Sequence, residues 1–136
     1  MSKLYRHYRT DPEKDTKGVW IEFPAAGVRL RIARAGITNK RYQAALEKAL
    51  KPYRRALGKG LMDDDTAKKI VMKVFADTIV MDWEGLEDED GQPVEFSAEA
   101  CFKVFSDLPE FFGDVQGEAQ DLAAFREDFE EDSKNL

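Results

Sequence analysis

The run from Ile79 to Gln116 constrains the fold of this chain more than any other. Ile79, Val80, Met81 and Trp83 form an apolar cluster that must leave water, and a few residues later Glu87, Asp88, Glu89 and Asp90 must stay in it. Gly91 closes the acidic run, so the two are joined by a folded turn and not by a disordered acidic linker. After the turn, Pro93, Val94, Glu95 and Phe96 read as a short extended piece. Ser97 follows as an N-cap with Glu99 in the first turn, which predicts a helix over 98–107. Cys101, Val104, Phe105 and Leu108 share one face of it, and Pro109 suits the first turn of the next helix.

Upstream, Gly18 to Phe23 is rich in β-formers, Pro24 to Gly27 turns, and Val28, Leu30 and Ile32 alternate with Arg29 and Arg31. This predicts a β-hairpin with one apolar and one basic face. A lone hairpin is marginally stable, so the apolar face must pack on helices or the hairpin must pair with another strand, in this chain or in a second subunit. Asn39 is placed to cap a helix whose inward stripe is Tyr42, Ala45, Leu46, Ala49, Leu50 and Tyr53. Pro52 forces a kink or restart in that helix, and Gly58-Lys59-Gly60 ends it. That tripeptide is no phosphate loop: Tyr53 stands where the first glycine belongs and Gly60 where Ser or Thr should follow the lysine. Asp63, Asp64 and Asp65 crowd the positive end of the following helix. Its stripe, Ile70, Val71, Val74, Phe75, Thr78 and Ile79, continues into Val80 and Met81, where the helix is expected to be apolar nearly all round.

Charge divides the chain in two. Through Lys59 there are fifteen Lys and Arg against five Asp and Glu, a net +10; beyond it there are six against twenty-two, a net −16. Internal complementarity of the halves is the plainest reading, with a protein partner or nucleic acid as the alternatives, though the acidic half would repel phosphate. The single cysteine cannot close an internal bridge, and no run approaches the ~20 apolar residues of a membrane span. MSKLYRHYR lacks the apolar core of a signal peptide, so the expectation is a cytoplasmic protein with no membrane partner.

The last segment carries a seam: Phe111, Val115, Leu122, Phe125 and Phe129 step by four, seven, three and four residues. These are the candidate partner-binding residues. Phe111 and Phe112 read first as core, whereas Phe125 and Phe129 are open to either role. Gly113 and Gly117 predict a break there or a close backbone approach. Residues 1–17 read as a mobile tail, 18–130 as a single domain, and 131–136 as a frayed acidic end. The fold class expected is mainly α, in the α+β sense, with about four to five helices beside the hairpin.

Catalysis finds little to work with. His7 is the lone histidine and lies in the predicted tail, and neither Ser97 nor Ser106 has a histidine base. The acidic turn fails as a calcium loop, because with Gly91 at position six the first and twelfth positions are Leu86 and Ser97. Adjacent aspartates at 63–65 do not converge on a metal without further ligands. A binding protein without metal or cofactor is the expectation from the residues.

Four pieces of the central run also carry a resemblance: Asp82-Trp83-Glu84-Gly85-Leu86, the turn Asp88-Glu89-Asp90-Gly91-Gln92-Pro93, the helix start Phe96-Ser97-Ala98-Glu99-Ala100, and Leu108-Pro109-Glu110-Phe111-Phe112. In order and spacing, over Gly18 to Asn135, they resemble the tail assembly chaperones of long-tailed bacteriophages and prophages. The resemblance implies a small α-rich protein of the host cytoplasm, absent from the mature virion, that keeps the tape measure protein soluble while the tail tube polymerises around it. It adds the tail tube protein as a second partner, while self-association through the hairpin or the apolar helices is an expectation from the residues. It carries over no catalytic residue, and Met1 to Lys17 lie outside it. A nucleic-acid-associated adaptor built on the basic half, or a structural phage tail or connector protein, remains the alternative.

Overall fold

The computed structural model describes residues 2–126. The fold is mainly helical with one small sheet, in the order α1 (Lys3–Tyr8), α2 (Pro12–Lys17), β1 (Val19–Phe23), β2 (Val28–Ile32), α3 (Lys40–Leu50), α4 (Arg54–Gly58), α5 (Asp64–Thr78), β3 (Val80–Glu84), α6 (Ala98–Asp107), α7 (Pro109–Gln120) and α8 (Leu122–Phe125). The predicted caps are in place: Asn39, Asp63 and Ser97 accept from the backbone N–H of Tyr42, Thr66 and Ala100. Thr66 donates to the Asp63 carboxylate from both its N–H and its hydroxyl, which holds that carboxyl below its ordinary range. At Pro52 the helix tightens into a 3-10 turn, Lys51–Tyr53, before α4 restarts it.

β1 and β2 pair antiparallel from Val19↔Ile32 to Phe23↔Val28, as the alternation predicts. The hairpin's further partner comes from within the chain. β3 pairs with β2, so that β2 is the central strand of three. Here the structure corrects the expected continuous helix through Met81. α5 ends at Thr78, whose hydroxyl donates to the Val74 carbonyl, and Val80–Glu84 then pairs along β2 with a shift of register between Arg31 and Ile32. Val80 and Trp83 turn inward while Glu84 faces water. The unpaired edge of β2 supplies backbone partners that a longer helix would have left unsatisfied.

The core forms where α5 packs between α3 and α6. Leu30, Ile32, Phe75, Ile79, Phe105, Val115 and Phe125 are fully buried there. Phe75 meets Tyr42 and Phe112 edge-on, with ring centroids 5.5 and 5.3 Å apart.

A second correction concerns the N-terminus. Where the sequence suggests a loose tail, α1 and α2 are capped by Ser2 and Asp11, with Pro12 opening α2. The segment is tied to the opposite end of the chain: the Asp11 N–H donates to the Phe125 carbonyl at 2.7 Å, and the Lys14 ammonium to the Arg126 carbonyl at 3.0 Å. The buried Asp15 accepts from the Thr10 hydroxyl at 2.6 Å, and its carbonyl accepts from the Arg34 N–H.

Gly113 and Gly117 do not break their helix. α7 runs through both, and among the described residues nothing lies within 4 Å of where either Cβ would stand. The interruption falls at Asp121, which ends α7 and caps α8 through the Ala123 N–H.

Candidate partner-binding cleft

The acidic turn predicted at residues 87–91 is held by local hydrogen bonds. Asp88 donates its N–H to the Gln92 carbonyl, Gly91 donates to the Asp88 carbonyl, and the Asp88 carboxylate accepts from the N–H of Asp90 and of Gln92. Behind it, the Val94 N–H donates to the Leu86 carbonyl, and the Trp83 indole N–H donates to the Val94 carbonyl at 2.7 Å. Phe96 lies edge-on to Trp83 at 5.1 Å. A rigid acidic loop thus stands on an aromatic base.

Between this turn, the hairpin loop and the α6–α7 junction lies a cleft of about 610 Å³. Its apolar lining comes from Ala26 and Val28, Leu86, Val94, Ala100 and Val104, and Leu108 and Phe111. Its acidic lining comes from Glu87, Asp88, Glu89 and Asp90 in the turn and from Asp107 in α6. One cation joins them: the Lys103 ammonium donates to Asp107 at 2.7 Å, a pairing that raises its pKa. Leu108 is 56% exposed between two helices. An apolar floor with a charged border suits an apolar segment carrying opposite charge.

The seam predicted for a partner does not form one surface. Phe111 reaches the cleft, edge-on to Phe23 at 5.3 Å. Leu122 is half-buried, Phe129 lies outside the described residues, and Val115 and Phe125 have no exposed surface at all. For Val115 and Phe125 the partner reading is therefore corrected to core. Two distant pieces of chain lie against this end of the molecule: the Asp11 N–H donates to the Phe125 carbonyl, and the Ala35 N–H donates to the Ala119 carbonyl. Sequence reasoning missed Val28, Leu86 and Val94 as cleft residues. It placed Leu108 on the buried face of α6, whereas that residue lies past the last turn.

Among the described residues, no three His, Cys, Asp or Glu side chains are placed to hold a metal ion, and no helix is long and apolar enough to cross a membrane. Burial, reinforced by the negative charge of Asp77, pushes the Cys101 thiol up to about 12. At pH 8 the folded protein should therefore leave Cys101 unmodified by a thiol-reactive dye, with full reaction only in denaturant. Rapid labelling of the native state would show that α6 opens.

The basic face of the hairpin is partly neutralised. The Arg29 guanidinium donates to Glu84 at 2.7 Å and stacks over Trp20 at 4.3 Å, and Arg31 stands opposite Asp82 in the sheet. Among the described residues, this Arg29 pair is the one ion pair joining the basic and acidic halves; the others are local to one half. Internal complementarity accounts for less of the charge division than the sequence suggests.

No curated protein and no solved structure matches the chain. The family model described as YdaY prophage protein matches residues 37–135, which span α3 through α8, the acidic turn and most of the cleft lining. The chain belongs to the YdaY prophage protein family.

Proposed function

We propose that the chain is a tail assembly chaperone: a binding protein of the host cytoplasm, without chemistry of its own, that holds apolar helical segments of the prophage's tape measure protein until the tail tube encloses them. The prophage family and the motif resemblance support this reading, and the observation that carries it is the cleft. A long helical client exposes apolar seams before assembly, and such seams bind grooves through anchors one helical turn apart. The acidic border keeps the unoccupied cleft in water. The nucleic-acid alternative has weaker support, because Arg29 is already committed to Glu84 and Arg31 faces Asp82.

The test is co-expression with the tape measure protein of the same prophage. Leu108→Asp places a charge in the cleft at a position that also precedes the first residue of α7, where aspartate is a favoured cap, so folding should be unaffected. The variant should show wild-type circular dichroism and lose the ability to keep the client soluble. If it folds and still solubilises the client, the cleft is not the site; if wild type solubilises no segment of the client, the chaperone reading is withdrawn.

A further inference from the structure

The segment from Lys51 to Leu61 is a sparsely covered helical part of the molecule that carries large apolar side chains. Neither its 3-10 turn nor α4 has a buried residue, and Tyr53, Leu57 and Leu61 are 37%, 45% and 73% exposed at steps of four. The segment is nonetheless well formed. Gly60, with a positive φ of 68°, donates its N–H to the Leu57 carbonyl, and the Leu61 N–H donates to the Ala56 carbonyl, which closes the helix end and turns the chain back. It is also strongly basic. Arg54 pairs with Glu47 at 3.7 Å, and among the described residues Lys51, Arg55 and Lys59 have no carboxylate partner.

This arm and the cleft are complementary: one offers apolar anchors among cations, the other an apolar floor among carboxylates. We infer that the arm of one copy docks in the acidic cleft of a second copy of this chain, so that the free protein self-associates and covers its own cleft. The exposed side chains of Tyr53, Leu57 and Leu61 favour an apolar groove over a phosphate surface, which would use the cations alone. The other exposed basic helix, α1, is a poorer candidate. Arg9 of the segment already lies over the Tyr5 ring at 5.1 Å, and His7 accepts at its carbonyl from Arg126. Because arm and cleft are different patches, the contact closes either twice about a two-fold axis in a reciprocal dimer or head to tail in a ring.

The proposal uses the cleft of the chaperone reading but not the client, so the two fail separately: mass is measured on the purified protein alone. Sedimentation of wild type should give at least twice the chain mass, shifting toward monomer as salt rises. Leu57→Asp, or Arg54→Glu with Arg55→Glu, should weaken association at least about tenfold without loss of helicity, since the arm buries nothing. Glu87→Lys with Asp90→Lys should do the same from the other side. Mixing the two charge-reversed proteins should restore the assembly. A monomeric wild type, or an assembly indifferent to the arm variants, would overturn the proposal. So would failure of the mixed pair to associate when both variants are folded.

Discussion

Phe125→Asp should unfold the protein, not expose a partner surface. Phe125 is fully buried at the end of the chain's last described helix. Truncating such a residue costs about 3–5 kcal/mol in lost burial and cavity. A carboxylate left there without a partner adds several kcal/mol, or must take up a proton. Together these approach the whole stability of a domain, roughly 5–15 kcal/mol. The damage would spread, because the Phe125 carbonyl accepts from Asp11 and so anchors the N-terminal helices. Thermal or urea unfolding followed by circular dichroism checks this, with Phe125→Leu as the milder comparison at about 1–3 kcal/mol. A Phe125→Asp protein melting within a few degrees of wild type would mean that this site opens freely. Leu108→Asp, by contrast, should leave the melt unchanged.

The second large effect is expected at Gly85, between β3 and the acidic turn. Its φ is +81°, and a Cβ there would stand 2.5 Å from the Gly27 carbonyl oxygen in the hairpin turn. Gly85→Ala thus combines left-handed strain of about 1–2 kcal/mol with a backbone clash of about 1–3 kcal/mol. Neither partner is a flexible side chain that could step aside, so the hairpin and the turn must separate, and Gly85 and Ala26 both line the cleft. Gly91→Ala is the control. Gly91 has the same sign of φ, 79°, but nothing lies within 4 Å of its Cβ position. A melt should therefore show Gly85→Ala lower than Gly91→Ala, and client binding should fall only in the former. Equal melts would mean that the hairpin turn yields without cost.

What could be read from the sequence was local. Asn39, Asp63 and Ser97 cap helices through bonds to residues three positions on, and the hairpin joins strands separated by one short turn. The stop at Pro52 follows from its missing N–H. Each depends on neighbours in the chain, so a short window contains its cause. The acidic turn was legible for the same reason, since its bonds run between residues 88 and 92.

Tertiary structure decided what no window holds. Val80 to Glu84 became a strand because the distant β2 had an open edge, although the same residues could continue the apolar stripe of α5. Phe125 became core because residues 10–15, more than a hundred positions away, lie against its end of the molecule. The cleft is assembled from the hairpin, the acidic turn and the α6–α7 junction, and its apolar residues have no common period. Periodicity tells which side chains share a face; which face another part of the chain covers is settled by long-range packing, and on that the accessible cleft and the bare basic arm both depend.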